Sequence, residues 1–237
     1  MRISYLIIDD FYDDPHAVRN AALHTDYARP VEGSNYPGDN SAETFEMKGL
    51  NELVSSIVRE PVMGTPESGH GRFRIATAGA ESRARARMHV DGQSYWSGIV
   101  YLTLPEHCQG GTEFYRHKDL GTDRAPIYDS EVAQFGSQSC ARFTQELIRR
   151  DGNNASKWEY IMTIPMRFNR LVLFRPWFWH TSGESFGDRG ENARLIQLFF
   201  FTLDKSKLHG SDPGTGNAAI ASVTGPSIKT PEDSPPS

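Results

Sequence analysis

Cysteine is scarce: only Cys108 and Cys140 occur in 237 residues. Two thiols are too few for a disulfide framework, so a reducing, cytoplasmic setting is expected. No apolar run approaches the roughly 20 residues of a membrane span, so no membrane partner is expected. The opening MRISYLIIDDFYDD lacks the long apolar stretch and cleavage site of a secretion signal. Positive charge is not in excess either. Lys and Arg number 25 against 30 Asp and Glu, a net charge of -5, which gives no general attraction to nucleic acid. Internal repeats are absent, which excludes solenoid and propeller arrays.

What is present is a front part with helices and a long strand-rich remainder. A strand is predicted at 4–8. Asp14 caps a helix with Pro15 in its first turn, running to about Leu23. Leu50, Leu53, Val54, Ile57 and Val58 recur at helical spacing and stop before Pro61. Residues 32–43 and 63–71 read as loops. From residue 72 strands are predicted at 73–78, 84–90, 95–104, 112–117, 158–165, 170–174, 177–180 and 194–202. Residues 118–167, with a helix at 141–150, read as an insertion, because the gap is long for a hairpin connection. Residues 209–237 are poor in large apolar groups and read as a disordered tail, which leaves 1–208 as one domain. This pattern predicts a mainly β (α+β) fold with supporting N-terminal helices. A double-stranded β-helix, a cupin-like jelly roll, satisfies the strand count and keeps its edges short.

The chemistry is concentrated in 88–114 and 168–201. His89 and Asp91 lie two residues apart, on one face of an extended chain, so both heads can reach one ion. His180 ends an apolar strand far downstream and is a third candidate ligand, with His107 and His117 as rivals. His117 stands between Arg116 and Lys118, which favours a solvated face. Two histidines and a carboxylate make the facial triad of non-heme Fe(II) oxygenases, which leaves coordination positions open for oxygen chemistry. Arg194 heads an otherwise apolar strand and shares a face with Ile196, Leu198 and Phe200 by alternation. A buried guanidinium needs a partner, either a structural Glu or the far carboxylate of a dicarboxylate cosubstrate. Tyr101 can add a phenol to the same carboxylate. Arg87, and Arg85 beyond it, fall on the ligand face of a regular strand and are candidates for an anionic group of the substrate. Tyr95 and Trp96 follow the ligands and are candidates for the pocket mouth.

Taken together these pieces resemble the iron(II)- and 2-oxoglutarate-dependent oxygenases, in the prolyl-hydroxylase-like branch. The matching stretches are LIIDDFYDDP, His89-Val90-Asp91-Gly92, Tyr101-Leu102 before the double glycine, GGTEF, and FNRLVLF followed by His180 and Arg194. The resemblance implies that His89, Asp91 and His180 hold Fe(II). It implies that 2-oxoglutarate chelates the metal, with Arg194 and Tyr101 at its far carboxylate. O2 is then the oxidant and hydroxylation the default outcome. The related halogenases lack the carboxylate ligand, so Asp91 argues against halogenation. His180 to Arg194 is a longer gap than usual in this branch; Arg189 lies closer but in a Gly-flanked loop. The substrate class stays open between a small molecule or amino acid and a protein or peptide side chain. A non-oxygenase jelly-roll protein that binds a metal or a sugar accounts for the three ligands but not for Arg194.

Overall fold

Local signals build the front of the chain in this computed structural model, which describes residues 3–28, 38–80, 87–92 and 94–210. The strand β1 (Tyr5–Ile8) is followed by the helix α1 (Pro15–His24). Asp14 Oδ1 accepts the Ala17 N–H at 2.9 Å, so the helix starts at its cap. Next come β2 (Tyr27–Ala28), β3 (Asp39–Thr44) and α2 (Leu50–Val58). Leu50, Val54 and Val58 are the face of α2 that becomes buried. The strands β4 (Val62–Gly64), β5 (Arg72–Ala76), β6 (Trp96–Tyr101) and β7 (Gly111–His117) precede the helix α3 (Cys140–Asp151). The chain closes with β8 (Trp158–Pro165), β9 (Leu171–Phe174), β10 (His180–Thr181) and β11 (Arg194–Leu203).

The strands form two antiparallel sheets. The larger runs β1-β9-β6-β11-β5-β3-β2, with β4 also paired to β11; the smaller runs β10-β7-β8. Alternation along β11 assigns its two faces. Leu195, Phe199 and Phe201 pack toward the helices with Ala22, Val54 and Trp96. Ile196, Leu198 and Phe200 pack toward the small sheet with Tyr101, Phe114 and Phe174. The large sheet therefore has one face under helices and one face over the second sheet, so β11 is buried on both sides. Gly111 is demanded by packing: a Cβ there would collide with the Ile164 carbonyl oxygen across the β7–β8 pair.

Some expectations change. Residues 39–43, the end of the loop expected at 32–43, form β3 together with Thr44. A D-N-S-A-E-T run has little intrinsic strand preference, but it pairs with the edge of β5, whose backbone groups need partners. Residues 62–64, at the front of another expected loop, pair with the end of β11. Trp177–Trp179 are not strand. Backbone bonds tie them to the irregular segment before α3, as in Ala125 N–H to Trp177 O and Trp179 N–H to Asp123 O, while Trp179 O accepts the Tyr115 N–H of β7. Within 118–167, β8 is the third strand of the small sheet, and α3 packs Leu147 with Trp158 and Trp179. His117 is buried rather than solvated: it bonds the Asp151 carboxylate at 2.9 Å, and its Nδ1 accepts the Leu120 N–H. Residues 84–86 of the strand expected at 84–90, and 211–237 of the expected tail, lie outside the described residues. No described helix is long and apolar enough to cross a membrane.

Candidate metal centre

The two distant pieces of chain are joined by backbone. His89 and His180 form an isolated antiparallel bridge, each N–H donating to the other carbonyl at 3.1 Å. Beyond the bridge, the Asp91 N–H donates to Pro176 O at 2.9 Å, so the chain after His89 tracks the chain before His180. Met88 is buried among Ala125, Trp158 and Trp179, which anchors the approach to His89.

This clamp brings His89, Asp91 and His180 together, all buried, with their ligand atoms within 4.8 Å of one another. His89 Nδ1 faces the Arg87 carbonyl at 3.1 Å, and His180 Nδ1 faces the Phe178 carbonyl at 2.8 Å. A carbonyl only accepts, so each Nδ1 carries the proton and each Nε2 turns its lone pair inward. The Ser97 hydroxyl donates to Asp91 Oδ2 at 2.6 Å, and the same oxygen lies 3.5 Å from His180 Nε2. Ser97 shares the inner face of β6 with Ile99 and Tyr101. The His180 ring packs edge-on against Phe174 at 4.7 Å. Two imidazole nitrogens and a carboxylate on rigid, dry supports suit a divalent transition metal, and the residues present fit Fe(II).

Burial and the neighbouring His180 push the His89 imidazole down to about 3, with Asp91 opposing. Burial alone would raise the Asp91 carboxyl, but the flanking imidazoles and Ser97 hold it well below the usual carboxylate range. The His89 shift has a consequence for stability. An unfolded histidine titrates near 6.5. Between there and about 3 the unfolded chain binds a proton that the folded chain does not. The penalty is absent above pH 6.5 and grows as the pH falls. Metal-free protein is expected to lose denaturant midpoint across this window, and His89→Gln to flatten the loss. Equal slopes for both proteins would contradict it.

The second polar group on this face lies further along the strands. Arg194 is 2% exposed, with its guanidinium carbon 5.5 Å from the Tyr101 ring centroid. The Tyr101 hydroxyl meets Thr112 Oγ1 at 2.7 Å, and the Arg194 charge acts on it. Burial raises the Tyr101 phenol against the pull of Arg194 and Thr112. His180 pairs with Phe114, and Thr112 lies two residues along β7 from there. That places Tyr101 and Arg194 about 7 Å along the strand from the cluster. Arg189 is exposed in a loop beside Glu191, and His107 sits in a short turn away from the cluster.

The three residues expected around the substrate are placed elsewhere. The Arg87 side chain is exposed; its backbone is what serves the site, with its carbonyl on His89 and its N–H on Asn153 at 2.8 Å. Arg85 lies outside the described residues. Trp96 is fully buried on the opposite face of β6 and donates to Glu60 at 2.9 Å. The Tyr95 hydroxyl also reaches Glu60, at 3.3 Å. Sequence reasoning missed the organiser of that face, Arg175. Its guanidinium binds both Glu60 oxygens at 2.8 and 3.0 Å and stacks 3.8 Å over the Trp96 ring. An arginine inside the apolar run LVLFRPWFWH was the available signal, since such a charge must find a partner.

A family model described as "Family of unknown function (DUF6445)" matches residues 2–193. The chain belongs to this family. No curated protein matches it. Among solved structures it is similar to the non-heme alpha ketoglutarate dependent epimerase SnoN from nogalamycin biosynthesis, at 15% identity and a TM-score of 0.46. That match covers 94% of this chain and 92% of the other. It is also similar to the non-heme alpha ketoglutarate dependent carbocyclase SnoK from the same biosynthesis, at 10% identity and a TM-score of 0.40, covering 84% and 79%.

Proposed function

We propose that this protein is an Fe(II)- and 2-oxoglutarate-dependent oxygenase of the prolyl-hydroxylase-like branch, hydroxylating a small molecule or amino acid. The observation that carries the proposal is the buried convergence of His89, Asp91 and His180, with both Nδ1 protons taken by backbone carbonyls. His89, Asp91 and His180 would hold the iron. Arg194 and Tyr101 would take the far carboxylate of 2-oxoglutarate, since their separation of about 7 Å from the cluster suits a five-carbon dicarboxylate. When bound, iron and the keto acid supply the oxidation, in which O2 is consumed, succinate and CO2 form, and the second oxygen atom enters a substrate C–H bond. The chain's own part is to hold the ligands, keep Tyr101 a neutral donor and exclude water.

Strand order supports a double-stranded β-helix for residues 1–208. Along the chain β5 lies in the large sheet, His89 joins the small one, β6 returns to the large, and β7 and β8 belong to the small. Then β9, β10 and β11 alternate large, small, large. The test is anaerobic titration with Fe(II) and 2-oxoglutarate. A visible metal-to-ligand charge-transfer band is expected, weakened in Arg194→Ala. Metal binding with no band in the wild type would reject the oxygenase in favour of a metal-binding jelly roll.

A further inference from the structure

The strand β5 carries two arginines on the face that holds the metal centre. Phe73 and Ile75 point into the helix-side core, so Arg72 and Arg74 point the other way, as Ile196 and Leu198 do. Both arginines line a cavity of about 340 Å³ with Asn40, Pro66, Glu67 and Leu198. Leu198 belongs to the cluster between the sheets, so the cavity borders the interior that contains His180's neighbours Phe114 and Phe174. Register fixes its position. Ile196 lies opposite Arg74 on one side and Tyr101 on the other. Arg74 is therefore two strands, about 10 Å, from Tyr101 on the same face.

We propose that Arg72 and Arg74 form a binding subsite for an oxyanion of the substrate, a carboxylate or a phosphate, beside the metal centre. This rests on the oxygenase reading above and gives it a substrate class. Arg72 Nε is buried and has no hydrogen-bond partner among the described residues. A buried guanidinium N–H with no acceptor is costly, and the flat fork of donors it belongs to matches an oxyanion. Arg74 Nε is held by Asn40 Oδ1 at 2.7 Å across the β3–β5 pair, which orients its side chain on the cavity wall. Two cations side by side on a strand repel each other, and an anion between them turns that repulsion into attraction. Among the lining residues the opposing charge is Glu67, which is exposed at the rim.

The test is calorimetric titration of the full chain with N-acetylglycine, inorganic phosphate and neutral N-acetylglycinamide. It is run metal-free and again with Mn(II) and 2-oxoglutarate. One of the two oxyanions is expected to bind in preference to the amide, and which one binds assigns the carboxylate or the phosphate. Arg72→Gln is expected to weaken that binding at least about tenfold, as loss of a charge-assisted contact does. Glu67→Gln, which touches no fold contact of Arg72, is expected to tighten it. Binding of the amide as strong as that of the oxyanions overturns the proposal. So does wild-type affinity in a folded Arg72→Gln, or no oxyanion binding at all. The two claims separate, because the subsite is read by oxyanion binding to the metal-free protein, whereas absence of the charge-transfer band with Fe(II) and 2-oxoglutarate sinks the oxygenase alone.

Discussion

His180→Ala is expected to weaken Fe(II) binding by roughly a hundredfold or more, because one of the three proposed protein ligands is lost from a site that the two others cannot close. The fold should survive. The bridge to His89 uses main-chain atoms of residue 180, which alanine keeps. What disappears is the imidazole, its contact with Phe174 and the ring nitrogen that lies 3.5 Å from Asp91. Asp91 keeps the Ser97 hydroxyl, so its carboxylate retains one donor. Titration with Fe(II) under nitrogen, or with Mn(II) followed by electron paramagnetic resonance, reads the affinity directly. His107→Ala is the companion variant, since His107 lies in a turn remote from the cluster. Equal losses in both variants, or a change of only a few-fold for His180→Ala, would remove His180 from the ligand set.

Arg175→Ala should destabilise the protein strongly, by about 3–5 kcal/mol. The side chain is 1% exposed, and it neutralises Glu60, donates from Nε to Ile3 O at 2.9 Å and lies over Trp96 and Tyr95. Alanine leaves a cavity and a carboxylate whose remaining donors are neutral. The loss should spread to the metal centre, because Asp91 hangs by its N–H from Pro176, the next residue. Urea denaturation is expected to show the midpoint falling, and metal affinity should fall with it. The double variant Arg175→Met with Glu60→Gln should recover part of the stability, since no charge is then stranded. A loss below 1 kcal/mol for Arg175→Ala would mean that Glu60 is satisfied by water instead.

Periodicity made the helices and most strands legible. Asp14-Pro15 marked the start of α1, and the apolar spacing of 50–58 marked α2, because both are local statements about one turn of backbone. Alternation also sorted the last strand correctly, with Arg194, Ile196, Leu198 and Phe200 on one face. β3 escaped because its residues have no strand preference of their own; the edge of β5 made it a strand. The expected strand at 177–180 shrank to His180–Thr181, since alternation cannot say whether a partner strand lies alongside.

For the site, residue chemistry made His89, Asp91, His180, Arg194 and Tyr101 candidates, and the resemblance to the oxygenases gathered them into one set. Only the tertiary structure decided which of the histidines meet, since the His89–His180 bridge spans 91 positions of chain and depends on how the two sheets close. It decided that Arg87 serves through its carbonyl and that Trp96 lies under Arg175, because one residue of register moves a side chain to the opposite face. It also turned Arg72 and Arg74, which the sequence analysis did not single out, toward the face of β5 that carries the cavity. A strand's own residues state that two faces differ, and only its neighbours determine which face looks at the metal.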